Sequence, residues 1–226
     1  MTAKTTTVGA DVLDGAAYYN RQMLRYYDRL VWVTCRYFWG CDKHEILRRY
    51  QAAIGARHLE IGVGSGYCLE NSLFPVPEPE ITLVDLNPHT LDFAGRRIAH
   101  LRQRRIVANA LEPLESVGVP ANAFDSVAVN LLLHCIPGDI PKKEAVLVNA
   151  ATAAVPGGKV VGSTVLAHGV QVSRRGRWLM KTFNTKGVFH NADDRLSDLE
   201  STLDKIFDEH ILEVRGSMAL FTATVG

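Results

Sequence analysis

The sequence predicts an α/β domain in three layers, a mostly parallel sheet covered by helices on both faces. Three observations predict it. From Arg57 onward, short apolar strands alternate with helix-length segments. A glycine-rich turn joins the first of these strands to the helix that follows. Two β-rich runs at residues 211–215 and 218–224, parted by Gly216 and Ser217, read as a closing antiparallel hairpin.

The elements follow in order. Residues 1–14 read as a loose tail, and residues 15–30 as a helix crowded with Tyr18, Tyr19, Tyr26 and Tyr27. Asp42-Lys43-His44-Glu45 is a capping box that opens a second helix, its two acids able to satisfy orphan backbone donors. Residues 57–61 form a short buried strand, and residues 67–73 the next helix, broken by the prolines between 75 and 79. Residues 81–85 are the second strand. Asn87 and Pro88 are an N-cap and first-turn pair opening a helix to about residue 103. Residues 106–108 and 124–130 are the third and fourth strands. A helix over 142–154, closed by Pro156-Gly157-Gly158, leads to a fifth strand over 159–167. Residues 169–191 mix helix-like and irregular sequence. Ser197-Asp198-Leu199-Glu200 is a second capping box, before a helix ending near Glu209.

Composition narrows the function. Of 226 residues, 47% are apolar and 22% charged, a globular balance that rules out disorder as the main theme. The net charge of +1 argues against non-specific binding to nucleic acid or anionic membrane. No apolar run is long enough to span a bilayer. The first 14 residues have neither the apolar core of a signal peptide nor the arginines of a transit peptide. Four cysteines, none in a C-x-x-C pair, predict reduced thiols in a cytoplasmic protein and no metal site.

The segment Glu60-Ile61-Gly62-Val63-Gly64-Ser65-Gly66 carries the most information. It lies at the carboxyl end of a strand, where open α/β sheets bind ligands. Glycine there permits positive φ and close approach of a ligand to the backbone. A tight turn without a ligand is the plain alternative. Asp85 ends the next strand, where a carboxylate can accept both hydroxyls of a ribose; its alternative is a charge serving the helix after Pro88. The pattern is G-x-G-x-G, with Tyr67 and Cys68 next, and lacks the G-x-G-x-x-G spacing of a pyrophosphate cradle. A nucleoside without phosphates therefore fits better than a nicotinamide dinucleotide, which disfavours a dehydrogenase.

With these residues the chain resembles the class I S-adenosylmethionine-dependent methyltransferases, from about residue 55 to the C-terminus. Residues 60–66 are similar to that family's first motif, Asp85 to its ribose-binding acid, and Asn109-Ala110-Leu111 to its adenine loop. Residues 124–134 are similar to the strand and loop facing the methyl group. The wording of 58–67, of 85–88 and of Leu133-His134-Cys135-Ile136-Pro137-Gly138 resembles a microbial branch acting on small molecules. The resemblance implies a seven-stranded Rossmann-like sheet with its last strand antiparallel. It implies S-adenosyl-L-methionine as cofactor, held by Glu60, Gly62, Gly64, Gly66, Asp85, Leu86, Ala110, Leu111 and Asn130. Ala110 stands where many members carry an acid for the adenine amino group, so that contact falls to backbone.

Other residues complete the expectation. His134 follows the fourth strand and is the candidate general base; a structural histidine or a wall of the pocket is the alternative. Asn130-Leu131-Leu132-Leu133 lacks the prolines and aromatic ring that would stack a nucleobase. The aromatics of residues 18–39 predict a lid, with Tyr26 and Trp39 at the site; packing on the sheet is the alternative. Arg174, Arg175 and Arg177 fall where an acidic substrate or carrier protein would dock. The reading is a helical aromatic lid over residues 1–54 and a methyltransferase domain over 55–226. The enzyme methylates a small organic molecule, oxygen before nitrogen, as a monomer or homodimer with no nucleic-acid or membrane partner. A protein of this fold that binds the cofactor without transferring methyl is the alternative.

Overall fold

The computed structural model describes residues 21–226, with side chains from Asp28 onward. Seven strands form one sheet: β1 (Arg57–Ile61), β2 (Glu80–Asp85), β3 (Arg102–Val107), β4 (Phe124–Asn130), β5 (Ala154–Val165), β6 (Glu209–Arg215) and β7 (Met218–Thr224). Their order is β3-β2-β1-β4-β5-β7-β6. The first five run parallel, and β7 is antiparallel to both β5 and β6. The central strands are buried on both faces; β4 carries the apolar Phe124, Val127, Ala128 and Val129, while β1 buries the polar His58 and Glu60 beside Leu59 and Ile61.

Helices α1 (Arg21–Thr34), α2 (Lys43–Ala53), α3 (Tyr67–Glu70), α4 (Pro88–Arg97), α5 (Ile140–Ala153), α6 (Arg174–Thr185) and α7 (Leu196–Ile206) complete the layers. One face packs Leu59, Ile61, Val127 and Val129 against Val146, Leu147 and Ala150 of α5 and Leu199 and Leu203 of α7. The other packs Ile81, Leu83 and Ala128 against Tyr50 of α2, Leu69 of α3, and Leu91 and Ala94 of α4. A third cluster joins Cys35, Trp39 and Ile46 to Val165, Met180, Phe189 and Met218. Among the described residues no helix is long and apolar enough to cross a membrane.

Several boundaries differ from the sequence reading. Helix α4 stops at Arg97, because Arg102 and Gln103 pair with Glu80 and Ile81 as the start of β3. That strand is a sheet edge, and its exposed arginines hinder pairing with another chain. The first capping box is half formed. Asp42 accepts from the His44 N–H at 3.0 Å, while Glu45 turns away to Arg49 and Arg48. The second is not formed: the Leu196 N–H bonds the His168 carbonyl at 3.1 Å, so the helix begins before Ser197 can cap it. Strand β5 starts early, at Ala154, and a register shift against β4 takes up the Pro156-Gly157-Gly158 segment.

Candidate functional site

Strand β1 delivers the chain into a loop in which Gly62, Gly64 and Gly66 have φ of +76°, +53° and +72°. Side chains rarely adopt such angles. Space is tight at two of them as well: a Cβ on Gly62 would lie 2.8 Å from the Leu132 side chain, and one on Gly66 3.0 Å from Ala94. The loop is wedged between the segment after β4 and helix α4. Its other side faces a cavity of about 60 Å³, lined by the glycine loop, Glu60, Asn130 and Leu131 and closed over by Asp28, Val31 and Trp32 of α1.

Glu60, at the end of β1, is buried. Its Oε2 accepts from the Tyr50 hydroxyl at 2.5 Å and lies 3.1 Å from His58 Nε2. Asp85, at the end of β2, accepts the Asn87 N–H at 2.9 Å. Burial pushes its carboxyl up to about 6, opposed by the N–H groups of Asn87, Gly64, Val63 and Leu86. The expected ribose acid thus sits against the glycine loop, with half-buried Leu86 beside it. Ala110 and Leu111 lie in a turn after β3. Asn149 of α5 pins that turn by donating to the Ala110 and Glu112 carbonyls at 2.9 and 2.8 Å. Ala110 and Leu111 pack against the core and do not line the cavity. Asn130 ends β4. Its Oδ1 accepts from the Ser163 hydroxyl at 2.9 Å, while its buried Nδ2 has no partner. Leu131 follows at φ +55°, a costly angle for a branched residue and one that marks the turn beside the site.

His134 has surroundings unlike those of a base. It is 4% exposed and lies edge-on to Phe189 at 4.3 Å. The Val165 N–H donates to its Nδ1 at 3.3 Å, which assigns the proton to Nε2 and makes the free nitrogen a donor. Burial, with Lys143 nearby, pushes its pKa down to about 3. These surroundings match the structural alternative, and His134 is not among the residues that line the cavity. Trp39 is buried against Phe189 at 5.7 Å in the third core cluster and does not itself line the cavity. The side chain of Tyr26 lies outside the described residues, as do Tyr18, Tyr19 and Tyr27. Arg174, Arg175 and Arg177 stand exposed on α6.

The residues that sequence reasoning missed come from α1 and the far rim of the loop. Asp28 accepts from the Ser65 hydroxyl and pairs with Arg97 at 2.7 Å. The Trp32 ring tilts against Tyr67 at 4.9 Å, and its buried Nε1 has no partner. Asp28 and Trp32 stand one helical turn apart, and that spacing was the available signal.

Comparison with known proteins agrees with the fold. A family described as a methyltransferase domain matches residues 59–160. The demethylluteothin O-methyltransferase of Streptomyces thioluteus is 42% identical, over 98% of this chain and 97% of that protein. The N-methyltransferase vrtF of Penicillium aethiopicum is 32% identical over 99% of this chain and 95% of its own length. The fold is shared with DhpI in its S-adenosylhomocysteine complex (TM-score 0.66, 20% identity, 97% of this chain and 99% of that one). A phosphoethanolamine N-methyltransferase of Haemonchus contortus, solved with S-adenosylhomocysteine, has a TM-score of 0.68 at 16% identity, over 96% of this chain and 61% of that one.

Proposed function

The chain belongs to the class I S-adenosylmethionine-dependent methyltransferases, and from that premise we propose that it methylates a hydroxyl oxygen of a small organic molecule of secondary metabolism. The observation that carries the reading is the cavity at the carboxyl ends of β1 and β4. There a left-handed glycine backbone and the residues Glu60, Trp32 and Asn130 line one cavity, and among the described residues Glu60 Oε1 and the side-chain N–H groups of Trp32 and Asn130 have no partner.

Those groups fit the cofactor. Glu60 would accept from its ammonium, Trp32 and Asn130 would donate to its carboxylate, and Asp85 would take its ribose hydroxyls. S-adenosylmethionine supplies a methyl carbon on a cationic sulfur, already open to in-line attack. The chain's own part is to hold, align and exclude water. Helix α1 serves as the lid. The cavity under it leaves about 60 Å³ for a ligand's atoms to enter, so in this reading α1 shifts aside to admit the cofactor. Residues 35–53 stay in place, since Trp39, Ile46 and Tyr50 are core.

His134 carries its proton on the free nitrogen, so the acceptor must be acidic enough to lose its own. Phenolic or enolic hydroxyls meet that need better than alcohols. The 42% identical relative, an O-methyltransferase, supports oxygen. A cytoplasmic monomer or homodimer completes the reading. The test is incubation with methyl-labelled S-adenosylmethionine and matched phenols, enols and amines. Label is expected on oxygen of the phenols or enols. Transfer to amines alone would move the reading to nitrogen. Cofactor binding without transfer to any of them would favour a non-methylating protein.

A further inference from the structure

We propose that Tyr50, His58 and Ser126 form a buried positioning relay that fixes the Glu60 carboxylate, keeping one of its oxygens free for the ammonium of the cofactor's methionyl part. The inference rests on the cofactor reading above.

The relay follows from strand geometry. His58 and Glu60 are two residues apart on β1 and so share a face. The β1–β4 register sets Ser126 beside His58. Helix α2 lays Tyr50 on the same face, its ring edge-on to His58 at 5.4 Å. All four side chains are buried. One assignment uses every group in the chain. The Gly55 N–H donates to Ser126 Oγ at 2.7 Å. The Ser126 hydroxyl, 2.7 Å from His58 Nδ1, donates to it. The Nε2–H of His58 then faces the Tyr50 oxygen at 2.9 Å and Glu60 Oε2 at 3.1 Å. The Tyr50 hydroxyl donates to Glu60 Oε2 at 2.5 Å. Burial and the adjacent carboxylate hold the Tyr50 phenol protonated, so it remains a donor.

Two features point beyond packing. Both donors converge on Oε2, and among the described residues Oε1 has no hydrogen-bond partner although Glu60 lines the cavity. Among the described residues no lysine or arginine pairs with Glu60; at the cavity rim Arg97 is taken by Asp28 and Glu70, and Lys43 lies over the Tyr67 ring at 5.4 Å. A buried carboxylate without a cation is costly. A ligand ammonium arriving at Oε1 would relieve that cost. The relay holds the carboxyl plane so that Oε1 meets it.

The test compares two ligands, S-adenosylhomocysteine and 5′-methylthioadenosine, which lacks the amino-acid part. Calorimetric titrations use the full chain, Tyr50→Phe and His58→Asn. The second variant keeps an amide beside Ser126 and deletes the nitrogen facing Tyr50 and Glu60. It also stands in should Tyr50→Phe fail to fold. Each variant should weaken S-adenosylhomocysteine by about tenfold or more, the scale of one hydrogen bond to a charged group. Each should shift 5′-methylthioadenosine by less than about twofold, the spread of neutral substitutions. Equal losses for both ligands would make the four residues merely structural and overturn the proposal. Unchanged affinities for both would also overturn it. A wild-type chain that binds 5′-methylthioadenosine but not S-adenosylhomocysteine, or neither, would overturn the cofactor reading itself.

Discussion

The ribose role proposed for Asp85 would tie cofactor affinity to pH. Burial raises its folded pKa from 3.8 to about 6. By linkage, its contribution to the stability of the free protein is full below its unfolded value and is lost as pH rises through about 6. Ligand binding has the opposite sign, because ribose hydroxyls donate best to the ionised carboxylate. Affinity for S-adenosylhomocysteine should therefore fall as pH drops from 7.5 to 5.5. Asp85→Asn should flatten that slope and weaken binding by about tenfold or more. An equally steep slope in the variant would contradict the assignment. His134 shows the limit of residue-scale reading. Its place after β4 was legible, but its surroundings were not, because burial and the Val165 N–H decide which nitrogen is free. With His134→Asn, whose side-chain oxygen can replace Nδ1 as acceptor, the pH profile of kcat should keep its shape. A loss of about a hundredfold with a changed profile would restore the base.

At the scale of elements, strand β4 and the glycine loop were legible because each is specified locally. Alternating or continuous apolar residues mark the strand, and glycine is the residue that tolerates φ of +53° to +76°. Gly64→Val should thus abolish cofactor binding while circular dichroism shows the fold retained. The packing of the first helix was legible only in part. Aromatic residues recur through the first helix, but the π-helical turn Cys35–Trp39 adds a residue to its turn and shifts the phase. Trp39 therefore points into the core and Trp32 meets the cavity, an outcome set by tertiary packing. The Asp28 contacts to Ser65 and Arg97 latch this helix over the loop. Asp28→Ala should release S-adenosylhomocysteine several-fold faster in stopped-flow experiments. An unchanged release rate would mean that α1 does not gate the site.

Across the whole molecule, the order of strands and helices was legible from the alternation of apolar runs and turns. Long-range pairings were not, because they depend on residues far apart in the chain. Lys143 and Asp194 are an example: both are fully buried, and Lys143 Nζ lies 2.7 Å from each carboxylate oxygen and 3.1 Å from the His190 carbonyl. The pair ties α5 to the segment backing His134. Lys143→Met would leave the Asp194 charge buried alone, and should destabilise the protein by about 3–5 kcal/mol in urea unfolding. A loss under about 1 kcal/mol would show that water reaches the site.

The central claim is that the glycine loop of this sheet holds S-adenosylmethionine. The most direct test is thermal unfolding with S-adenosylhomocysteine, run on wild type and Gly64→Val. Ligand at about 100 times its dissociation constant adds about 2.7 kcal/mol. For a chain of this size that raises the melting temperature by roughly 5–10 °C. Wild type should show that rise and Gly64→Val should not, while NADH shifts neither. No rise in wild type, or the same rise in a folded Gly64→Val variant, would contradict the claim.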